Sequence, residues 1–274
     1  MLSLLALASS AVWGTSDFFA GLKSRSLPPA AVVGMAQAVA LGVLSVLVAL
    51  RASSFSLSGW PPWALAAGVA GAVGLISFYA ALAGGPMGVV ASIASLGAIV
   101  PVALGVLGGD RLGPRVWVGV VVAILGAALA SGPELGTAIT RRPVLLGLVA
   151  AVSFGSALFC LDRGARFSLL HTLWGMRLTT VAIFAVAAVL LRSVGGTRAR
   201  DLPALALIGL ADVSANAMFA FSSSRGQVSV SSVLGSLYPV ATLAWARFLV
   251  GERLRGVQLT GVVAALTGVA VMTV

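Results

Sequence analysis

The chain has 274 residues, of which 59% are hydrophobic and only 9% are charged. Ordinary soluble domains carry about 25% charged residues, so this composition excludes a typical soluble protein and indicates a membrane protein. The formal net charge of +10 does not indicate nucleic-acid binding, because fifteen of the seventeen Lys and Arg residues lie in or beside breaks between apolar runs. Charges placed in this way are typical of contacts with lipid headgroups.

Nine polar breaks divide the chain into ten apolar segments. Each segment has about the 20 residues that a helix needs to cross a bilayer, and none shows the alternation of a barrel strand. We therefore predict an all-α integral membrane protein with ten transmembrane helices. They lie at about residues 2–22, 28–50, 60–83, 86–107, 114–132, 143–162, 168–191, 203–222, 227–250 and 256–273.

The first predicted helix contains an acidic residue, Asp17. Its apolar run lacks the basic start of a signal peptide, so we expect it to remain in the folded protein. A carboxylate in hydrocarbon costs about 2.5–3.5 kcal/mol, so Asp17 should be paired, protonated or turned towards a wet cavity. Its neighbours Trp13 and Ser16, with Phe78 and Tyr79 of the third helix, favour a cavity for a substrate or a proton.

The fourth predicted helix has a proline inside it, and the ninth helix repeats the arrangement. Gly97 and Pro101 correspond to Gly235 and Pro239 at an offset of 138 residues. An internal proline removes a backbone donor and crowds the carbonyl four residues earlier, so we predict paired kinks. They either gate a central cavity or are packing kinks that both copies inherited. Polar side chains on the same two helices could line that cavity, namely Ser92, Ser95, Ser232 and Tyr238. The alternative is that the serines bond back to carbonyls of their own helix and the aromatic ring fills the core.

The fifth and tenth predicted helices carry small residues along one face. These are Gly119, Ala123 and Gly126, repeated as Gly261, Ala265 and Gly268. Small residues let helix backbones approach closely, so we interpret both faces as packing surfaces. The surfaces join helices either within one chain or between two, which leaves both a monomer and a homodimer open.

The eighth predicted helix contains a second acidic residue inside an apolar run, Asp212, with Asn216 one turn later. Asp212 either binds a proton or a cation, or forms a structural ion pair with Arg177 of the seventh helix. The same two alternatives apply to Asp17. We favour a structural role for Arg177, with contact to a substrate carboxylate as its alternative.

The two halves of the chain are related in sequence. Trp13 matches Phe154 at an offset of 141, and GDRL at 109–112 matches GERL at 251–254 at an offset of 142. We therefore assign Phe154 to the predicted cavity together with Trp13, and we predict a duplication. The predicted repeats are residues 1–134 and 141–274. Because five helices per repeat is an odd number, the repeats should insert in opposite directions.

Several signatures of enzymes and metal sites are absent from the sequence. There is no GxxxxGK[ST], no HExxH and no cluster of Cys and His. The single histidine, His171, lies near a helix end and is better explained as an interfacial polar residue than as a proton relay. We therefore expect no metal, no cofactor and no enzymatic activity.

Taken together, these motifs resemble those of the EamA-like transporters of the drug/metabolite transporter superfamily. The matching pieces are WGTSDFF on the first helix, the Gly-x-x-x-Pro kinks, GDRL and GERL, and the glycine-spaced fifth and tenth helices. The resemblance implies ten helices around a central cavity, alternating access and cytoplasmic termini. The last expectation disagrees with the charges, because the side of the termini holds six Lys and Arg residues against nine on the other.

From this resemblance and the residues above, we expect a secondary transporter that exports small metabolites, such as amino acids or amphipathic drugs. Transport would be coupled to protons or would occur by exchange. The alternative is a flippase for a lipid or a lipid carrier. The expected location is a bacterial-type plasma membrane, with the bilayer and a small-molecule substrate as partners and no nucleic acid.

Overall fold

The apolar runs of the sequence form helices in the computed structural model, because a helix satisfies its own backbone polar groups in lipid. The structure describes residues 1–51, 56–84, 87–130, 141–190, 192–193, 195–250 and 256–273. Its α-helices are α1 (Leu2–Lys23), α2 (Pro29–Leu50), α3 (Pro61–Gly84), α4 (Met87–Ser95), α5 (Ile99–Leu107), α6 (Pro114–Ala130), α7 (Arg141–Leu190), α8 (Leu202–Arg225), α9 (Val228–Gly235), α10 (Tyr238–Trp245) and α11 (Gly256–Thr273). These ranges contain no β-strand, and the predicted all-α class is confirmed.

Six helical stretches in the described part of the chain are long and apolar enough to cross a membrane. They are Leu2–Lys23, Pro29–Leu50, Pro61–Gly84, Arg141–Leu190, Ala199–Arg225 and Val228–Leu249. Their outer faces expose large apolar side chains such as Val46 of α2 and Leu207 of α8, as expected for surfaces that lipid covers. The predicted number of ten separate helices is not confirmed. One of the four missing spans is merged into α7, and two shorter apolar helices lie at Ile93–Leu107 and Pro114–Gly126.

The helix α7 covers a region where we predicted two helices separated by a break at Arg163–Phe167. Helical geometry continues through that break, because arginine favours helix, and is interrupted only at Ser168, with φ −158° and ψ 109°. At Ser168 the chain reverses its direction. A Cβ atom on Gly164 would touch the side chain of Thr172, although residues eight apart lie about 12 Å apart along a straight helix.

Both predicted proline kinks lie beside breaks between short helices. A 3₁₀ turn at Leu96–Ala98 separates α4 from α5, and α9 ends at Gly235 before α10 begins. Pro101 and Pro239 therefore lie in the first turn of α5 and of α10. At this position the missing N–H has no helical partner to lose, so proline starts a helix more readily than it continues one.

Helix packing connects the two halves of the sequence. The helix α1 packs on α8 and α10, while α7 packs on α3 and α4. Gly14 in α1 lies against the backbone of Tyr238 in α10, and Gly155 in α7 lies against the backbone of Gly97 beside α4. Since Gly14 and Gly155 are 141 residues apart, the equivalent glycine of each half contacts the bent helix of the other half.

The helices α6 and α11 pack against each other along the small-residue faces. A Cβ atom on Gly268 would meet the backbone nitrogen of Ala123 and the carbonyl oxygen of Gly119. The backbones are therefore too close for any larger side chain at this position. Of the two arrangements that the sequence left open for these faces, contact within one chain is present.

Candidate functional site

A cavity of about 80 Å³ lies inside the helical bundle, beside the two bent helices. Side chains and backbone from α1, α3, α4, α7, α8, α9 and α10 line it. Ten of the predicted site residues are among its lining, namely Trp13, Asp17, Ser95, Gly97, Phe154, Asp212, Asn216, Ser232, Gly235 and Tyr238. Residues that are far apart in sequence thus share one space.

Arg177 of α7 and Asp212 of α8 form a buried ion pair at this cavity, with 2.9 Å between Nη2 and Oδ2. Gln37 of α2 donates its side-chain N–H to the same carboxylate oxygen at 3.0 Å. Asn216, one turn along α8, donates to the other oxygen at 3.1 Å. Of the alternatives for Asp212, the ion pair is therefore present. Three side chains contact its carboxylate and hold it in place.

Asp17 of α1 lines the same cavity with a different set of partners. The hydroxyl of Tyr79 in α3 donates to Asp17 Oδ1 at 3.3 Å. Within the described ranges, no Lys or Arg nitrogen lies within ion-pairing distance of Asp17. The residue is only 8% exposed. Asp17 is therefore a buried carboxyl group whose charge, when ionised, has no cationic partner in the described part of the chain.

Aromatic rings form much of the cavity wall. Trp13, Phe154 and Tyr238 line it directly. Phe78 lies behind them and packs edge-to-face on Phe154 and Tyr238, with ring centroids 5.5 and 6.1 Å apart. The hydroxyl of Tyr238 donates to the carbonyl of Ala91 at 3.1 Å and so connects α10 to α4. Phe78, which we assigned to the cavity, supports its wall rather than lining it.

The predicted serines occupy different positions. Ser95 and Ser232 line the cavity, and the buried Ser232 hydroxyl has no hydrogen-bond partner among the residues that the structure describes. Ser16 faces away from the cavity and donates to the carbonyl of Ile208 in α8 at 3.1 Å. The side chain of Ser92 lies outside the described part of the structure, as does the GERL motif.

Glycines at the two bends shape the cavity more directly than the prolines do. A Cβ atom on Gly97 would meet the backbone of Ala151 in α7, and Gly235 lies against the ring of Trp13. Pro101 and Pro239 come one turn later and are not among the lining residues. The close approach of neighbouring helices at the bends therefore depends on the missing side chains of the glycines.

Other buried polar groups were not assigned to the site from the sequence. Gln37 contacts Asp212, and its sequence signal is an amide inside the apolar run VVGMAQAVALG. Asp162 is fully buried and pairs with Arg166 at 3.1 Å. His171 does not line the cavity, because its ring stacks on Trp60 near the reversal of α7. No group of three or more His, Cys, Asp or Glu residues in the described ranges could hold a metal ion.

Comparisons with known proteins identify the family. The family model of the EamA-like transporter family matches residues 1–132 and 141–274. No curated protein matches the chain. One of the solved structures that match, described only as a protein, has a TM-score of 0.80 and 20% identity over 100% of this chain and 98% of its own, which shows a shared fold. Because the family model covers nearly the whole sequence, the chain belongs to the EamA-like transporter family of the drug/metabolite transporter superfamily.

Proposed function

We propose that the protein is a secondary transporter that exports small metabolites, amino acids or related amphipathic compounds, through the central cavity by alternating access. The observation that carries this proposal is the cavity itself, which places Asp17 and the Arg177–Asp212 pair between helices of both halves. Ligand pockets are mainly apolar with a few placed polar groups, and this cavity has that character. We expect it to work in a bacterial-type plasma membrane.

The architecture that we propose for this transporter has ten membrane-crossing segments in two inverted repeats, residues 1–134 and 141–274. The helix α7 supplies two segments, one on each side of Ser168, while α4 with α5 and α9 with α10 each form one bent segment. The exchanged contacts of Gly14 and Gly155 support a pseudo-two-fold relation between the repeats. Substrate sites of inverted-repeat transporters lie at such a repeat interface.

We assign proton coupling to Asp17, with exchange of solutes as the alternative. Asp212 is engaged by Arg177, so a change in its protonation would break a buried ion pair. Asp17 can gain and lose a proton without breaking one. Protonation of Asp17 would remove an uncompensated charge from the bundle and so favour the return of the empty carrier.

The size of the cavity bears on the substrate. At about 80 Å³ it is much smaller than the pockets of about 300–1,000 Å³ that hold drug-sized ligands. This volume favours a small metabolite over a drug. Aromatic rings from α1, α7 and α10 are part of the wall of this small space.

Transport by the full chain in proteoliposomes tests the proposal. We expect accumulation of a labelled solute that follows an imposed pH gradient, and we expect Asp17→Asn to lose the response to that gradient. Asp201→Asn is the matched control, because Asp201 pairs with Lys23 at 2.7 Å and does not line the cavity. Scrambling of labelled lipids without any solute flux would contradict the proposal and indicate the flippase instead.

A further inference from the structure

The ionisable groups that line the cavity do not balance in charge. Asp17 and Asp212 contribute two negative charges when both are ionised, and Arg177 contributes one positive charge. The ion pair uses Arg177 and Asp212 and leaves one negative charge on Asp17. The cavity becomes electrically neutral only when one positive charge, a proton or a cation, is bound at Asp17. Neutrality is favoured because a buried charge without a partner is costly.

The helices around Asp17 do not supply that charge. The titratable group that faces it from α3 is Tyr79, and the one from α8 is Asp212. Tyr238 faces the cavity from α10, and α9 contributes serine hydroxyls. Arg177 of α7 is engaged with Asp212, and the one basic residue of α1 is Lys23, which is held by Asp201. Since no described Lys or Arg pairs with Asp17, the compensating positive charge is a bound proton or a bound cation.

Four classes of molecule could occupy the site, and their charges separate them. An anion would add to the negative charge, and a zwitterion would leave it unchanged while its carboxylate competed with Asp212 for Arg177. A neutral compound would require Asp17 to stay protonated throughout the cycle. A monovalent cation replaces a proton one for one and keeps the cavity neutral.

The walls of the cavity also suit a cation. The rings of Trp13, Phe154 and Tyr238 line the same cavity as Asp17. Aromatic faces attract ammonium groups that lie within about 6 Å of the ring centre, and quaternary ammonium ligands are recognised in this way. The hydroxyl of Ser232 adds an acceptor with no protein partner in the described structure. The volume of about 80 Å³ limits the cation to a small one.

We infer that Asp17 binds a proton and the substrate alternately, and that the substrate class is small organic monocations, namely ammonium compounds with an apolar body. The inference rests on the proposed function and, among the small metabolites considered there, selects cationic amines over zwitterionic amino acids. Each cycle exchanges a proton for a cation and moves no net charge across the membrane.

Isothermal titration calorimetry on the full chain in lipid nanodiscs tests the inference without requiring transport. The first probes are choline, the dimethylbutanol in which carbon replaces its nitrogen, and the zwitterion glycine betaine. The second pair is phenethylammonium and phenethyl alcohol. We expect at least one cation to bind about tenfold tighter than its uncharged counterpart and than betaine, with release of about one proton. The affinity of that cation should fall by about tenfold for each unit by which the pH is lowered, in the range where Asp17 binds a proton instead.

Two substitutions assign the cation to Asp17. We expect Asp17→Asn to weaken cation binding by about 30-fold or more, and Asp17→Glu to restore most of the affinity. Asp201→Asn should leave binding unchanged. If Asp17→Asn does not fold, as judged by its thermal unfolding, Trp13→Leu provides the second measurement, with an expected loss of about 2- to 30-fold for the cations alone.

The inference is overturned if the uncharged probes bind as tightly as the cations, if the zwitterion binds best, or if neither cation binds. It is also overturned if cation affinity does not depend on pH. Cation binding with proton release but no flux in liposomes would refute the proposed transport and leave the cation site standing. Flux of amino acids without cation binding would support transport and refute the substrate class.

Discussion

Asp17 and Asp212 are both buried in the bundle, yet they differ in what surrounds them. Asp212 contacts Arg177, Gln37 and Asn216, whereas Asp17 accepts a hydrogen bond from Tyr79. A buried ion pair adds little net stability, but the loss of one partner leaves an uncompensated charge. Removing the cation beside Asp212 and removing the charge of Asp17 should therefore have opposite effects on the stability of the protein.

Arg177→Met should strongly destabilise the protein, because it leaves Asp212 buried without a cation. We expect a loss of about 3–5 kcal/mol in the free energy of unfolding. The double variant Arg177→Met/Asp212→Leu should lose less than the single variant, since it removes both charges. Unfolding of the purified proteins in detergent micelles measures both values. A double variant that is less stable than Arg177→Met alone would show that the ion pair is not the cause.

Asp17→Asn should leave stability unchanged or raise it by about 0.5–2 kcal/mol at neutral pH, because it removes a carboxylate without a cationic partner. The gain should shrink as the pH falls, since the original Asp17 then becomes protonated and resembles asparagine in charge. Unfolding curves of the parent and the variant across a pH series measure this difference. A large loss of stability at every pH would instead assign Asp17 a structural role.

The charged residues that line the cavity could be singled out from the sequence, because a charged residue inside an apolar run is conspicuous. The sequence could not decide which carboxylate pairs with Arg177, since that depends on how α1, α7 and α8 are rotated about their axes. Gln37 was missed because an amide carries no charge, and its apolar neighbours keep the mean hydropathy of α2 high. Phe78 was assigned to the cavity because sequence gives the helix but not which neighbour a ring faces.

At the level of helices, predicted boundaries agree best where proline or a loop stops the helix. The helix α2 begins at Pro29, within a residue of the predicted start. In α7 the predicted break at Arg163–Phe167 was misplaced, because helical geometry continues through these residues and the chain reverses only at Ser168. The glycine faces of α6 and α11 were predictable, since small residues at a helical spacing have a direct steric meaning.

Gly268→Ala tests the close packing of α11 on α6. The added methyl group would collide with the backbone of Ala123, which cannot move aside as a flexible side chain can. We expect a loss of about 1–3 kcal/mol in the free energy of unfolding.

Gly42→Ala in α2 is the matched control, because a Cβ atom there meets nothing within 4 Å. This substitution should leave stability unchanged or raise it slightly, since alanine favours helix over glycine by about 1 kcal/mol. Thermal unfolding of both variants in detergent makes the comparison. Equal effects at the two sites would contradict the packing that we describe.

The duplication could be predicted from sequence because residues of the two halves match at offsets of 138 to 142, and the family model also matches each half. The set of residues that line the cavity could not be predicted, because these residues come from seven helices spread along the chain. Membrane orientation is a third case, since nine basic residues against six give only a weak preference for termini outside the cell.

Inverted repeats make a prediction about two equivalent residues, Ser26 and Phe167, which are 141 positions apart and both exposed. Each follows the first predicted crossing of its half, so the two should lie on opposite sides of the membrane. Ser26→Cys and Phe167→Cys, each made with Cys160→Ser to remove the native thiol, can be labelled with a membrane-impermeant maleimide. We expect one variant to react in intact cells and the other only after permeabilisation.

The identity of the variant that reacts in intact cells also fixes the orientation. Phe167 follows six predicted crossings and shares the side of the termini, whereas Ser26 follows one. Labelling of Phe167→Cys would agree with the basic-residue count, and labelling of Ser26→Cys would place the termini in the cytoplasm. Labelling of both in intact cells would mean that the halves insert in the same direction, and the inverted arrangement, with the shared cavity that we derive from it, would be wrong.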